Sequence, residues 1–144
     1  MRKQYSKSDI KKLIEDFPYL AIDKKSNVVE EEDKIYINNN IQLIKISETW
    51  VPHLKLLLKK IILPKVTVDM GAVKFVVNGA DIMRPGITEL EEFDKNDFIV
   101  IVDETHNKPL AVGKALHNSV EMFNLDSGKV IQNLHYIGDS YWEL

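Results

Sequence analysis

The stretch VDMGAVKFVVNGADIMRPGI, residues 68–87, decides how the rest of the chain is read. Gly71 to Val77 forms a short helix, and Asn78-Gly79 closes it, because glycine takes the left-handed conformation that ends helices. Ile82-Met83 then starts a strand that breaks at Pro85-Gly86, since proline has no N–H to give to a ladder. Working outward, Val66 and Val68 suggest a strand before this stretch. After it, Phe98 to Val102, Leu110 to Leu116 and Val130 to Ile137 are strand-like runs. Turns between them fall at His106-Asn107-Lys108-Pro109 and Asp126-Ser127-Gly128. Many short strands with Gly and Pro punctuation point to a closed or nearly closed barrel, which leaves few free edges.

The first 64 residues follow a different pattern. Ser8 is the expected N-cap of a helix carrying Asp9 in its first turn, where the helix dipole favours an anion. Ile10, Leu13, Ile14 and Phe17 follow at helical spacing, and Pro18 stops the helix. Val28-Val29 and Lys34 to Ile37 are short strands separated by the acidic run Glu30 to Asp33. The Asn38-Asn39-Asn40 cluster signals a turn into a strand from Ile41 to Ile46. Pro52 is expected in the first turn of a second helix. Leu54, Leu57, Leu58 and Ile61 make its apolar stripe, and Lys55, Lys59 and Lys60 cover the other side. Arg2, Lys3, Lys7, Lys11 and Lys12 are expected as a solvated tail and helix surface.

Composition narrows the function classes. The chain has 144 residues, no cysteine and a formal net charge of -3. Disulfides and thiolate zinc sites are therefore excluded, as fits a reducing compartment. The N-terminus MRKQYSKSD lacks a signal-peptide core, and no apolar run approaches the length of a membrane span, so a soluble, cytoplasmic protein is expected. The charge is uneven. Residues 1–64 carry 12 Lys/Arg against 9 Asp/Glu, and residues 65–144 carry 7 against 13. Any nucleic-acid contact in the second part must rest on a local patch and on shape rather than on a broad positive field.

The 68–87 stretch, the apolar run FIVIV (98–102), PLAVGKALHNSVEM (109–122) and GKVIQNLHYIGDSYW (128–142) together resemble a PUA domain. This is the small RNA-binding pseudo-barrel of pseudouridine synthases and archaeosine transglycosylases. The segment before it, PHLKLLLKKIILPKV (52–66), resembles the proteins named for multiple copies in T-cell malignancies and their archaeal relatives. That family carries a short domain ahead of the PUA unit. The resemblance implies an α+β chain: a small N-terminal α/β pre-PUA domain, residues 1–64, followed by a PUA-type mixed β pseudo-barrel with short helices, residues 65–144. Units this small bury only about 60% of their unfolded surface, so packing between them should matter for stability. Pro64 leaves little slack between them, and they are expected to pack as one body.

Residues 79–86 carry the strongest site signal. Gly79, Ala80 and Gly86 have no bulk to hold off a phosphate or sugar, and Arg84 can fork onto phosphate or stack on a base. A tight helix–strand connection would use the same glycines for their dihedrals alone. The resemblance implies that this loop and the helix before it face RNA, with Lys74, Gly79, Ala80, Arg84, Pro85 and Gly86 in contact. As an exposed charge, Arg84 should matter to binding and little to stability. By the same resemblance Tyr136, on the last strand beside the loop, is expected as a stacking platform, with Tyr141 and Trp142 as further aromatics, although aromatics near a terminus more often complete a core. Lys55, Lys59 and Lys65 are expected to extend the basic face. His53, His106, His117 and His135 lack metal-site spacing, and Glu91, Glu92, Asp94 and Asp97 make a solvated acidic loop. No nucleophile elbow, P-loop or dinucleotide fingerprint is present, so neither catalysis nor a cofactor or metal is expected.

The resemblance thus implies a non-catalytic RNA-binding protein of the translation apparatus. Its RNA would be a transfer RNA acceptor end or small-subunit ribosomal RNA, engaged during initiation or recycling. In the eukaryotic family the partner is density-regulated protein, fused in ligatin, so a protein partner here would come in trans. Two other readings use the same residues: an accessory RNA-binding subunit of an RNA-modifying enzyme, and a PUA-like fold that has lost RNA affinity.

Overall fold

The computed structural model describes residues 1–142. It is an α+β structure of two sheets. The first is a five-stranded antiparallel meander, β1 (Arg2–Gln4), β2 (Val28–Glu31), β3 (Lys34–Ile37), β4 (Asn40–Ile46) and β5 (Thr49–Pro52), paired in chain order. Three two-residue turns join β2 to β5: Glu32-Asp33, Asn38-Asn39 and Ser47-Glu48. Both residues of each turn have positive φ, between 49° and 70°. That geometry matches the right-handed twist of the strands it joins, which is why such turns dominate tight hairpins.

Helix α1 (Lys7–Asp16) packs across this sheet through Ile10 and Leu13. Its N-cap is Ser6 rather than Ser8: the Ser6 hydroxyl accepts from Asp9 N–H, and the Asp9 carboxylate accepts from Ser6 N–H. The reciprocal box satisfies two donors that the first turn would otherwise leave bare. Pro52 is not in a helix either. It closes edge strand β5 opposite Leu43, a place where a missing N–H does no harm. Helix α2 (Leu54–Lys59) starts two residues later, capped by His53, and ends before Ile61. Leu54 and Leu57 are buried, whereas Leu58 is 42% exposed, so the apolar stripe is narrower than the sequence suggests. Arg2 and Lys3 lie in β1, beside Glu31 and Glu30, rather than in a loose tail.

The second sheet is mixed, with strand order β7-β11-β10-β9-β6-β8. Its strands are β6 (Lys65–Val68), β7 (Ile82–Met83), β8 (Ile87–Leu90), β9 (Phe98–Asp103), β10 (Pro109–Ala115) and β11 (Lys129–Tyr136). Only β6 and β9 pair in parallel. The outermost strands, β7 and β8, are neighbours in sequence, joined by the 3-10 turn Arg84–Gly86. A three-residue link between the two edges means the sheet has curled until they nearly meet. A bulge between Val112 and Gly113 helps it bend. Gly113 is buried there: a Cβ on it would come within 2.5 Å of Ile131 Cγ2 and 2.8 Å of the Gln132 carbonyl. Helices α3 (Met70–Val76) and α4 (Ser119–Phe123) close the barrel, whose interior holds Val66, Ile82, Ile99, Ile101, Met122 and Ile131.

A further apolar cluster joins the two sheets. Ile44, Val51, Leu54 and Leu57 pack against Val100, Val102 and Val112, with Tyr141 and Trp142 at its margin. At its centre, His53 and His135 are fully buried with ring centroids 4.8 Å apart. Each ring has its tautomer set by a backbone amide. Lys55 N–H donates to His53 Nδ1 at 3.0 Å, which leaves Nε2–H to donate to the Tyr141 carbonyl at 2.9 Å. Leu54 N–H donates to His135 Nε2 at 3.2 Å, and His135 Nδ1–H donates to Asp139 at 2.9 Å. Asp139 also accepts from the amides of Tyr136, Tyr141 and Trp142.

Candidate nucleic-acid interface

The 68–86 stretch forms a groove between α3 and the 3-10 turn. Asp69 caps α3 by accepting from Ala72 N–H at 2.9 Å. At the other end, Ala80 N–H donates to the Phe75 carbonyl and Gly79 N–H to that of Val76. This Schellman closure requires the left-handed residue that Gly79 supplies at φ +90°. The chain then returns along β7 and turns at Arg84–Gly86, and the Gly86 carbonyl accepts from Asp69 N–H. The space between is about 410 Å³, lined by Gly71, Ala72, Phe75, Ala80, Met83, Pro85 and their neighbours.

Two of the three expected glycine and alanine gaps are already filled from within. Tyr136 lies against Gly79, where a Cβ would stand 2.9 Å from its Cε1, so one face of the ring is covered. Gly86 lets the turn approach α3, since a Cβ there would be 3.2 Å from that of Ala72. Ala80 and Pro85 are exposed at the rim, and Lys74 is exposed on α3. Of the expected contact set, Ala80, Pro85 and Gly86 line the groove, and Lys74, Gly79 and Arg84 are next to lining residues in the chain.

Arg84 differs most from its expectation as a free charge. Its Nε donates to the Met122 carbonyl at 2.7 Å, Nη1 to Ile87 at 3.2 Å and Nη2 to Phe123 at 3.3 Å. Met122 and Phe123 are the end of α4, where carbonyls have no partner in the helix and the dipole favours a cation. Three of its five N–H groups are thus held by backbone, and Arg84 fixes the turn that floors the groove.

Phe75 carries no expectation from the sequence, yet it is 58% exposed at the groove, with Lys74 Nζ 5.1 Å from its ring centroid. Met83, which lines the same groove, is half exposed. A large aromatic face left in water next to a lysine is a stacking surface. The signal was available: Lys74-Phe75 sits in an otherwise small-residue helix, and Val76 on the next position suffices for the core. Asn133 is another support. Its side-chain amide donates to the carbonyls of Val76 and Ala80, and its backbone N–H donates to Asp81. Lys129 lies 3.4 Å from the other Asp81 oxygen, which offsets that negative charge near the groove.

The remaining lysines stand elsewhere. Lys55 and Lys59 line a separate groove of about 540 Å³ with Tyr36, Asn39 and Asn40, and Lys55 Nζ is 5.7 Å from the Trp142 ring. Lys65 begins β6, its amide donating to Glu91 and its Nζ to Asn107. None of the three lines the α3 groove. Trp142 and Tyr141 pack against the inter-sheet cluster, which is the core-completing role.

Residues 64–137 match the family model described as PUA domain. The chain belongs to the PUA-domain family. An uncharacterised protein of Methanocaldococcus jannaschii is 41% identical, over 99% of this chain and 96% of that one. Translation machinery-associated protein 20 of Saccharomyces cerevisiae is 33% identical, over 97% of this chain and 81% of its own. The crystal structure of a hypothetical protein from Pyrococcus horikoshii superposes with a TM-score of 0.82 at 29% identity, covering 99% of this chain and 98% of that chain. The proteins named for malignant T-cell amplification, which the sequence resembles, are relatives too. The α+β architecture with a curled PUA barrel is as the sequence led us to expect. Among the described residues no helix is long and apolar enough to cross a membrane.

Proposed function

We propose that this PUA protein is a non-catalytic RNA-binding component of the translation apparatus, acting in the cytoplasm. The α3 groove takes the end of a folded RNA, where a helix gives way to unpaired nucleotides. The observation that carries the reading is Phe75, exposed beside Lys74 over a groove floored by the Arg84–Gly86 turn. An unpaired base stacks on Phe75, Lys74 meets phosphate, and Ala80, Pro85 and the backbone at Gly79 and Gly86 accept the sugar edge closely. Arg84 acts by holding the turn. Tyr136 sets the Gly79 wall, and Lys55, Lys59 and Lys65 offer outlying phosphate contacts. The kinship with a protein named for the translation machinery supports an RNA of that machinery; our reading is a transfer RNA acceptor end, or a small-subunit ribosomal RNA junction of the same geometry. A protein partner supplied in trans and the small ribosomal subunit complete the setting.

The test is a competition between full-length transfer RNA and the same RNA lacking its 3′ CCA, with wild type and Phe75→Ala. Loss of preference for the intact end in Phe75→Ala supports the reading. Equal affinity of wild type for both RNAs defeats the acceptor-end assignment.

A further inference from the structure

A second solvent-facing apolar surface is on α4. Asn118 caps this helix by accepting from Glu121 N–H at 2.8 Å, and the Ser119 amide and hydroxyl both engage the Phe93 carbonyl. Met122 is fully buried and pins the helix to the barrel. Val120 and Phe123, three residues apart on the opposite side, are 70% and 69% exposed. With Leu90 they line a shallow groove of about 380 Å³ that runs beside the end of β8. Neighbouring residues three apart on a helix share a face, so these two side chains form one patch. Leaving two such side chains in water is costly, which marks contact surfaces rather than inert ones.

The charges around the patch say what covers it. Glu91 and Glu92 line the groove, and Glu121 projects from the same helix. Arg84 reaches this helix only through its carbonyls. Carboxylates on this rim repel phosphate, so RNA is the wrong occupant. A second copy of this chain is a poorer fit too, because its formal net charge is -3 and its residues 65–144 carry 7 Lys/Arg against 13 Asp/Glu. We propose that the face of α4 beside β8 is a docking surface for a lysine- or arginine-rich amphipathic segment of a protein partner. Apolar side chains of the partner cover Val120 and Phe123, and its cations meet Glu91, Glu92 and Glu121. The inference does not depend on the RNA reading of the α3 groove.

The test uses the full chain and two synthetic amphipathic peptides with leucine at helical spacing, one with lysine and one with glutamate at the polar positions. Amide chemical-shift mapping should place the lysine peptide on residues 90–92 and 119–124, and the glutamate peptide should not bind. Phe123→Ser and Glu92→Lys should each weaken the lysine peptide about tenfold or more while leaving the thermal midpoint and the affinity for transfer RNA unchanged. No binding of the lysine peptide overturns the proposal, as does binding mapped elsewhere or binding indifferent to both variants. Transfer RNA affinity that Phe123→Ser lowers, or self-association that it abolishes, would reassign the surface to RNA or to a second copy.

Discussion

Acidification tests the buried histidine pair directly. His53 and His135 each use one ring nitrogen to accept from a backbone amide, at 3.0 and 3.2 Å, and a proton on that nitrogen would set N–H against N–H. Burial, foremost, pushes the His53 pKa down to about 4, with His135 and Lys55 pushing the same way and the Tyr141 carbonyl and Asp139 opposing. His135 is also lowered, again by burial, against the pull of Asp139. In the unfolded chain a histidine titrates near 6.5, so the unfolded state takes up protons first as the pH falls. Stability is therefore full above about pH 6.5 and declines toward pH 4. For His53 alone, at 1.36 kcal/mol per pKa unit, the loss is on the order of 3 kcal/mol across that window, a large share of a typical domain's stability. The measurement is urea unfolding at pH 7.5, 6.5, 5.5 and 4.5, for wild type and His53→Asn (conditions chosen as about one-unit steps across the titration). Asparagine retains the capping oxygen for Lys55 N–H but does not titrate. The variant should be less stable at neutral pH and fall less steeply below pH 6.5. Equal slopes for the two proteins would refute the argument, as would a His53 titration by NMR near the unperturbed value.

Three substitutions probe the barrel and groove. Arg84→Met should cost about 2 kcal/mol in chemical denaturation, since it strips three carbonyls of a charged donor at a half-buried site; an unchanged midpoint would mean the ties do not form in solution. Gly79→Ala should cost about 1–3 kcal/mol, from the left-handed φ and the Tyr136 ring together, and should weaken RNA binding by displacing that ring. Gly113→Val should cost more than about 3 kcal/mol, because backbone of β11 blocks the new side chain; soluble folded protein with a wild-type melting curve would contradict the packing. The slope of log affinity for RNA against log salt should be shallow, roughly -2 to -3, as expected of a few phosphate contacts in an acidic half; a slope near -6 would place the RNA on another surface.

Where the chain's local chemistry was strong, sequence and structure agree. The Asn78-Gly79 stop, the Pro85-Gly86 break and the long apolar runs of β9, β10 and β11 needed no tertiary help. The failures have local causes. Ser47-Glu48 adopts the same left-handed pair as Asn38-Asn39 without any residue that advertises it, so the sequence does not announce β5 and Pro52 reads as part of the helix that follows. Ser6 and Ser8 both precede Asp9, and only the three-residue spacing of a reciprocal cap separates them. β1 is a charged edge with no apolar alternation, and α4 is five residues long, too short for periodicity to register. At the candidate site, Ala80 and Pro85 line the groove, and Lys74 is exposed on α3 next to Phe75. The partners of Arg84 were beyond reach of any pattern, because they are main-chain carbonyls 38 and 39 residues away.

That arginine makes two distant parts of the surface share a single fastening. The turn that floors the α3 groove and the last carbonyls of α4 are gripped by the same guanidinium, so restraint applied at either is felt at the other. A ligand that stills the turn lowers the ordering cost of anything that then settles on α4, and the reverse holds by the same factor, since binding free energies are reciprocal. No hinge or domain swing is required for this. The carrier of the message would be amplitude: how far a three-residue turn and the end of a short helix are allowed to fluctuate.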